Sequence, residues 1–204
     1  MGNFSITYIA IVIVCILISL VIHEFMHAYV GYKLGDHTAH DHGRLTLNPL
    51  SHIDPIMTIA LPVATLLFFG APILAAKPVP FDPRNVKYGD FGAAMVAAAG
   101  PLTNLVLAFL ASMFARVTHI AVDGGGTFLG IFIVLNVAIF VFNMIPIPPL
   151  DGSRVLYAFA PEPVQRFMQN IEPYGFFIII GLVLTAGFGG LLLNINNFVL
   201  NLLV

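Results

Sequence analysis

The sequence predicts an all-α polytopic membrane protein with about four transmembrane helices, a re-entrant segment and a short membrane-associated β element. Three observations carry this. Of 204 residues, 59% are hydrophobic and only 9% are charged, where a soluble domain carries about 25% charged residues. Mean hydropathy is +0.96. Four stretches, roughly 6–34, 92–117, 127–146 and 174–204, supply the run of about 20 mostly apolar residues that a bilayer crossing needs.

The first run lacks the marks of a secretory leader. Residues 1–5 carry no positive side chain, and the run is longer than the roughly 7–15 residues of a signal core, so it is expected to be retained. Cys15, the single cysteine, lies inside it, which excludes an intrachain disulfide and suits a small buried core residue. Residues 35–54 are polar and rich in turn formers. Within them 43–47 alternates as a short strand would. The run 55–76 is interrupted by Pro62 and by Gly70-Ala71-Pro72, breaks that suit a re-entrant segment sheltered by protein.

Further along, 77–90 holds three prolines and two aspartates and reads as an irregular loop. Gly124-Gly125-Gly126 reads as a turn. Residues 154–170 mix apolar and polar side chains around the Pro161-Glu162-Pro163 break, and each half is expected to be an interfacial helix. The last run has its weak point at Gly187-Phe188-Gly189-Gly190. No repeat or low-complexity tract is present. The chain 1–204 reads as a single domain, with core motifs in 22–152 and an interfacial helix plus a last crossing in 153–204. A net charge of -2 predicts no nucleic-acid partner.

The strongest chemical signal is His23-Glu24-Phe25-Met26-His27. Two histidines four apart on a helix share a face, so both imidazoles reach one metal ion, and Glu24 falls beside it as a base. This is the H-E-x-x-H zinc-peptidase arrangement. Ionisable groups inside a spanning helix cost roughly 2.5–3.5 kcal/mol each for Asp, Lys or Arg at its centre. Three polar groups in five residues are therefore a poor way to build a helix without a function. A zinc peptidase needs a third protein ligand and an open position. Asp151 is the best candidate, because the prolines of Pro146-Ile147-Pro148-Pro149 end regular helix just before it. Asp151 could also serve as a helix N-cap, and the two roles are compatible.

With these residues in view the chain resembles the site-2 protease family of intramembrane zinc metalloproteases, in its small prokaryotic form without PDZ or CBS domains. The resemblance rests on H-E-x-x-H in the first helix and on Asn143-Met144-Ile145-Pro146-Ile147-Pro148-Pro149-Leu150-Asp151-Gly152 in a later one. Supporting it are Gly35-Asp36, Gly43-Arg44-Leu45-Thr46-Leu47-Asn48-Pro49, Lys77-Pro78-Val79-Pro80 and Ala99-Gly100-Pro101-Leu102-Thr103-Asn104. It implies one zinc per chain held by His23, His27 and Asp151, Glu24 as catalytic base, and Asn143 near the reacting carbonyl. There an amide N–H would steady the oxyanion, unless Asn143 only ties two helices together. Asn104 is a weaker candidate for such a role, its structural reading being a partner for backbone freed by Pro101. The implied substrate is a transmembrane protein in the lipid bilayer, held in extended form against the edge of the 43–47 strand. Two rivals are a non-catalytic scaffold, against which an intact Glu24 argues, and a metal transporter, for which paired repeats are missing. His37, His40, His42 and His52 crowd the first loop and could bind a second metal; His119 reads as interfacial.

The site also constrains topology. His23, His27 and Asp151 must meet at one depth, so the helices carrying them run the same way and an odd number of crossings separates them. Run 92–117 supplies one, which leaves 55–76 re-entrant. Lys33, Arg44, Lys77, Arg84, Lys87, Arg154 and Arg166 then share one side, with only Arg116 on the other. The positive-inside rule makes that side cytoplasmic. The expectation is a multi-pass protein of the cell membrane, both termini outside, the active site nearer the cytoplasmic face.

Overall fold

The computed structural model describes residues 5–52, 79–120, 122 and 127–204. The expected re-entrant run 55–76, Lys77-Pro78 and the Gly124-Gly125-Gly126 turn lie outside them. Helix α1 (Ile6–Leu34) begins where Ser5 Oγ accepts the Tyr8 amide at 3.1 Å. It ends at Gly35, whose φ of 106° only glycine adopts without strain. A short helix α2 (Thr38–Asp41) and a 3-10 turn (Pro49–Ser51) follow. A second 3-10 turn (Pro83–Asn85) leads into α3 (Gly89–Thr118), then come α4 (Phe128–Asn143), α5 (Asp151–Phe159), α6 (Glu162–Ile171), α7 (Gly175–Val183) and α8 (Ala186–Leu203).

Contacts fix the helix directions. The Lys87 amide donates to Leu34 O, His27 lies against Val96 and His23 against Asn104, so α3 runs antiparallel to α1. Cys15 meets Phe128, and Ser19 meets Asn136, so α4 runs parallel to α1. The expected common direction of these two helices is thus present. Helix α8 packs Leu192, Val199 and Leu200 on the Ala108, Ile133 and Val137 core, and its last carbonyls take hydrogen bonds from Ser112 and Arg116 of α3.

The polarity of the packing suits a membrane. The faces that α1 and α3 bury carry small or polar residues such as Ser19, Ala28, Gly31, Ala97, Asn104 and Ser112. Their outward faces carry Ile9, Ile13, Ile18, Val106, Phe109, Met113 and Phe114. Helices packing in lipid gain from close backbone approach and interhelical hydrogen bonds instead of from burying large apolar groups. Helices α1 and α3 are long and apolar enough to cross a bilayer alone, and α4 is a shorter apolar helix of 16 residues.

Two expectations need correction. First, 43–47 is not a strand, and no strand occurs among the described residues. Arg44 is buried and its guanidinium donates to the Ser51 carbonyl, while His52 Nε2 donates to the Thr46 carbonyl at 2.8 Å. These side chains take up carbonyls within the loop and fold 43–52 back on itself. Second, the last apolar run is bent. Glu162–Val183 and Gly187–Leu203 meet at 86°. The bend falls at Leu184 and Thr185, where the Thr185 hydroxyl donates to the Leu182 carbonyl at 2.7 Å. Gly187, Gly189 and Gly190 lie inside α8 instead of at the break.

Asp36 ties the end of α1 to the segment before α3. Its buried carboxylate accepts from the Thr38 amide at 3.1 Å, the Thr38 hydroxyl, the Asp82 amide at 3.0 Å and Asn85 Nδ2 at 3.5 Å. Burial alone would raise its pKa, but these donors together outweigh burial and lower it from the ordinary value. A carboxyl with a depressed folded pKa stabilises the fold above its unfolded pKa, and that contribution is lost as pH falls through the folded pKa. Asp36→Asn is therefore expected to cost roughly 1–3 kcal/mol near neutral pH, with the gap to wild type closing in thermal melts taken progressively below about pH 4. A gap independent of pH would show that the charge of Asp36 is not what holds this junction.

Candidate active site

The centre is built from the helix pair outward. In α1 the four-residue spacing puts His23 and His27 on the face that meets α3, with their Nε2 atoms 3.0 Å apart. Asp151 is the first residue of α5, directly after the proline-rich turn that closes α4. Its Oδ2 lies 3.3 Å from each Nε2. Leu150, not Asp151, occupies the N-cap position of α5, so the carboxylate points to the histidines instead of capping its own helix. Among the described residues these three form the one group of His, Cys, Asp or Glu side chains arranged to share a metal ion.

The donor set fits zinc. Tetrahedral coordination at about 2.0–2.2 Å separates neighbouring ligand atoms by about 3.3–3.6 Å, close to the sides of the observed triangle. The histidine tautomers fit as well. His27 Nδ1 donates to the Val96 carbonyl at 2.7 Å, and His23 Nδ1 lies 2.6 Å from Asn104 Oδ1. With Nδ1 carrying the proton, each Nε2 presents a lone pair to the centre. Gly100 supplies the space. A Cβ there would sit 2.4 Å from His27 Nε2 and 2.7 Å from His23 Nε2.

Glu24 is buried beside the triangle, and its Oε2 accepts the Val79 amide at 3.1 Å, which sets the carboxylate's orientation. A cavity of about 620 Å³ opens at this point, lined by the three donors together with Glu24, Asn143 and Arg154. Asn143 also lines this cavity, and one of its amide hydrogens is committed to the Ile139 carbonyl at 3.0 Å, a bond within α4.

Asn104 differs from its sequence reading. It does not serve backbone freed by Pro101; it is fully buried and receives the Nδ1 side of His23. Asn136 and Ser19, which bond to it or to each other behind the centre, carried no recognisable signal beyond being polar residues in apolar runs. Among the described residues the first-loop histidines do not gather into a second centre. His42 Nδ1 donates to Thr38 O, His52 to Thr46 O, His40 pairs with Asp41, and His37 packs on Tyr32. His119 closes the end of α3.

Comparison with known proteins adds a second line. The profile of peptidase family M50 matches residues 112–186. The chain is 39% identical over 181 residues to "Putative zinc metalloprotease YwhC" of Bacillus subtilis, covering 85% of this chain and 80% of that protein. It is 33% identical to "Putative zinc metalloprotease Rip2" of Mycolicibacterium smegmatis, over 88% of this chain and 70% of the relative. "Putative zinc metalloprotease MJ0611" of Methanocaldococcus jannaschii is 33% identical over 76% of this chain and 73% of its own. No solved structure gives a significant match.

Gly100→Ala tests the centre without touching a donor. The added methyl would occupy the space between the two Nε2 atoms, so zinc in the purified protein is expected to fall far below the stoichiometric level of wild type at unchanged helicity. Zinc retained at the wild-type level would mean that the metal binds elsewhere.

Proposed function

This chain belongs to peptidase family M50 and is a zinc metalloprotease, and we propose that it hydrolyses peptide bonds within or beside the transmembrane segments of other membrane proteins. The observation that carries the reading is the convergence of His23, His27 and Asp151 next to Glu24, on an apolar helix whose outward face carries Ile9, Ile13 and Ile18. A protease meant for soluble substrates has no need to place its donors there, since polar groups inside a spanning helix are costly.

His23, His27 and Asp151 would hold the zinc, which when bound would supply Lewis acidity. The chain's own residues do the rest. Glu24, fixed at the cavity edge by the Val79 amide, takes the proton from the attacking water and returns it to the leaving amine. Asn143 keeps a second amide hydrogen, after the one spent on Ile139, that can face the developing oxyanion. A helical substrate keeps its carbonyls in its own hydrogen bonds, so the segment must unwind locally to present one to the cavity. Glu24→Gln keeps the size and hydrogen bonding of the side chain but cannot accept the proton. Cleavage of a membrane-spanning substrate is expected to fall by roughly 10²- to 10⁴-fold with zinc content unchanged. Activity within a few fold of wild type would remove Glu24 as the base.

The same reading includes four crossings of the cell membrane, with 55–76 re-entrant, both termini outside and the centre nearer the cytoplasmic face. The parallel course of α1 and α4 supports it. So does the position of Val79 and Asn85 beside Glu24 and Asp36, at the same end of α1 as the loop that precedes 55–76. Arg116 sits at the opposite end, bonded to the last carbonyls of α8. An Asn85→Cys variant is readable without deleting the buried Cys15. A membrane-impermeant thiol reagent added outside intact cells is expected to leave it unlabelled; labelling would make 55–76 a full crossing.

A further inference from the structure

Behind His23 lies a closed chain of buried polar groups joining three helices. Ser19 of α1, Asn104 of α3 and Asn136 of α4 are all fully buried. Asn136 Nδ2 lies 2.8 Å from the Phe132 carbonyl and 2.8 Å from Ser19 Oγ. Asn104 Nδ2 lies 2.8 Å from Asn136 Oδ1 and 3.3 Å from the Ser19 carbonyl. Ser19 Oγ is 2.7 Å from the Cys15 carbonyl.

The direction of every bond follows from the backbone carbonyls, which only accept. The Cys15 carbonyl takes the Ser19 hydroxyl proton, which leaves Ser19 Oγ as an acceptor. Asn136 faces that acceptor and the Phe132 carbonyl together, so its NH₂ group must lie on this side and its Oδ1 must face Asn104. Asn104 in turn meets two acceptors, Asn136 Oδ1 and the Ser19 carbonyl, with its NH₂ group. Its Oδ1 is left for His23, whose Nδ1 must therefore carry the proton. His27 needs no such chain, because its Nδ1 meets the Val96 carbonyl directly.

We propose that Asn136 is a positioning residue for the metal centre: by fixing which way the Asn104 amide faces, it holds the Nε2 lone pair of His23 toward the metal. The proposal rests on His23 being a zinc ligand. Asn136 touches neither metal nor substrate and acts only through Asn104. A flipped Asn104 would present NH₂ to His23 Nδ1, favour the proton on Nε2 and oppose coordination. Groups behind a metal-bound histidine commonly change metal affinity by about 10–100-fold; Asn136, one bond further out, is placed at the lower end of that range.

The test is zinc affinity of the purified full chain in detergent, measured by competition with a chromophoric chelator. Asn136→Leu removes the acceptor that Asn104 Nδ2 faces, whereas Asn136→Asp keeps one. Asn136→Leu is expected to weaken zinc binding about 10-fold and Asn104→Leu by up to about 100-fold, while Asn136→Asp is expected to bind within a few fold of wild type. In an Asn104→Leu background, Asn136→Leu is expected to add no further loss, because its route to His23 is gone. Additive losses, or an Asn136→Leu affinity equal to wild type, would overturn the proposal and leave Asn136 as ordinary packing. His23→Ala is the control: if it keeps wild-type affinity, the metal-centre reading itself fails, whereas lost affinity there with an unaffected Asn136→Leu condemns the relay alone. If Asn136→Leu does not fold, Asn136→Ala, which also removes the acceptor, replaces it in every arm.

Discussion

Two imidazoles in the middle of an apolar helix each leave a ring nitrogen that bulk water cannot serve, and an unpaired polar group in such surroundings costs several kcal/mol. The bundle meets this constraint by bringing the backbone of α3 against α1. Gly100 makes the approach possible, Val96 offers a carbonyl to one ring and Asn104 an amide oxygen to the other. Once those two Nδ1 atoms are satisfied by α3, the two Nε2 atoms are left beside each other over Gly100. That is where Asp151 arrives, and its arrival requires α4 to run parallel to α1.

The centre itself was legible in the sequence because its chemistry is written in side chains at fixed spacing. His23, Glu24 and His27 needed only helical periodicity to be brought together. Asp151 needed only the recognition that three prolines end α4 next to a carboxylate. The shared-depth argument then reached a helix direction, α1 parallel to α4, that the contacts between Cys15 and Phe128 and between Ser19 and Asn136 bear out.

What escaped was whatever depends on a third body. Alternation in 43–47 is a real pattern, but a strand also needs a partner for its amides and carbonyls. Here Arg44 and His52 claim carbonyls of the same loop. The bend in the last run was expected at glycines because glycine tolerates it; the chain turns instead at Leu184 and Thr185, and the glycines sit within α8. Asn104 was assigned to the nearest visible defect, the Pro101 break, since nothing local in the sequence says that residue 104 comes opposite residue 23. Asn136 shows the same difficulty at one further remove.

The hydrogen bond from the Val79 amide to Glu24 comes from the main chain, not from a side chain. Any of nineteen amino acids at position 79 would supply it; proline alone would not. The residues on either side, Pro78 and Pro80, are the two that lack such a donor. Substitution at 79 is therefore chemically cheap so long as bulk is kept against the cavity wall. A contact to the Glu24 carboxylate can thus persist through sequence drift without leaving any recognisable residue behind, and scanning by alanine replacement would pass over it.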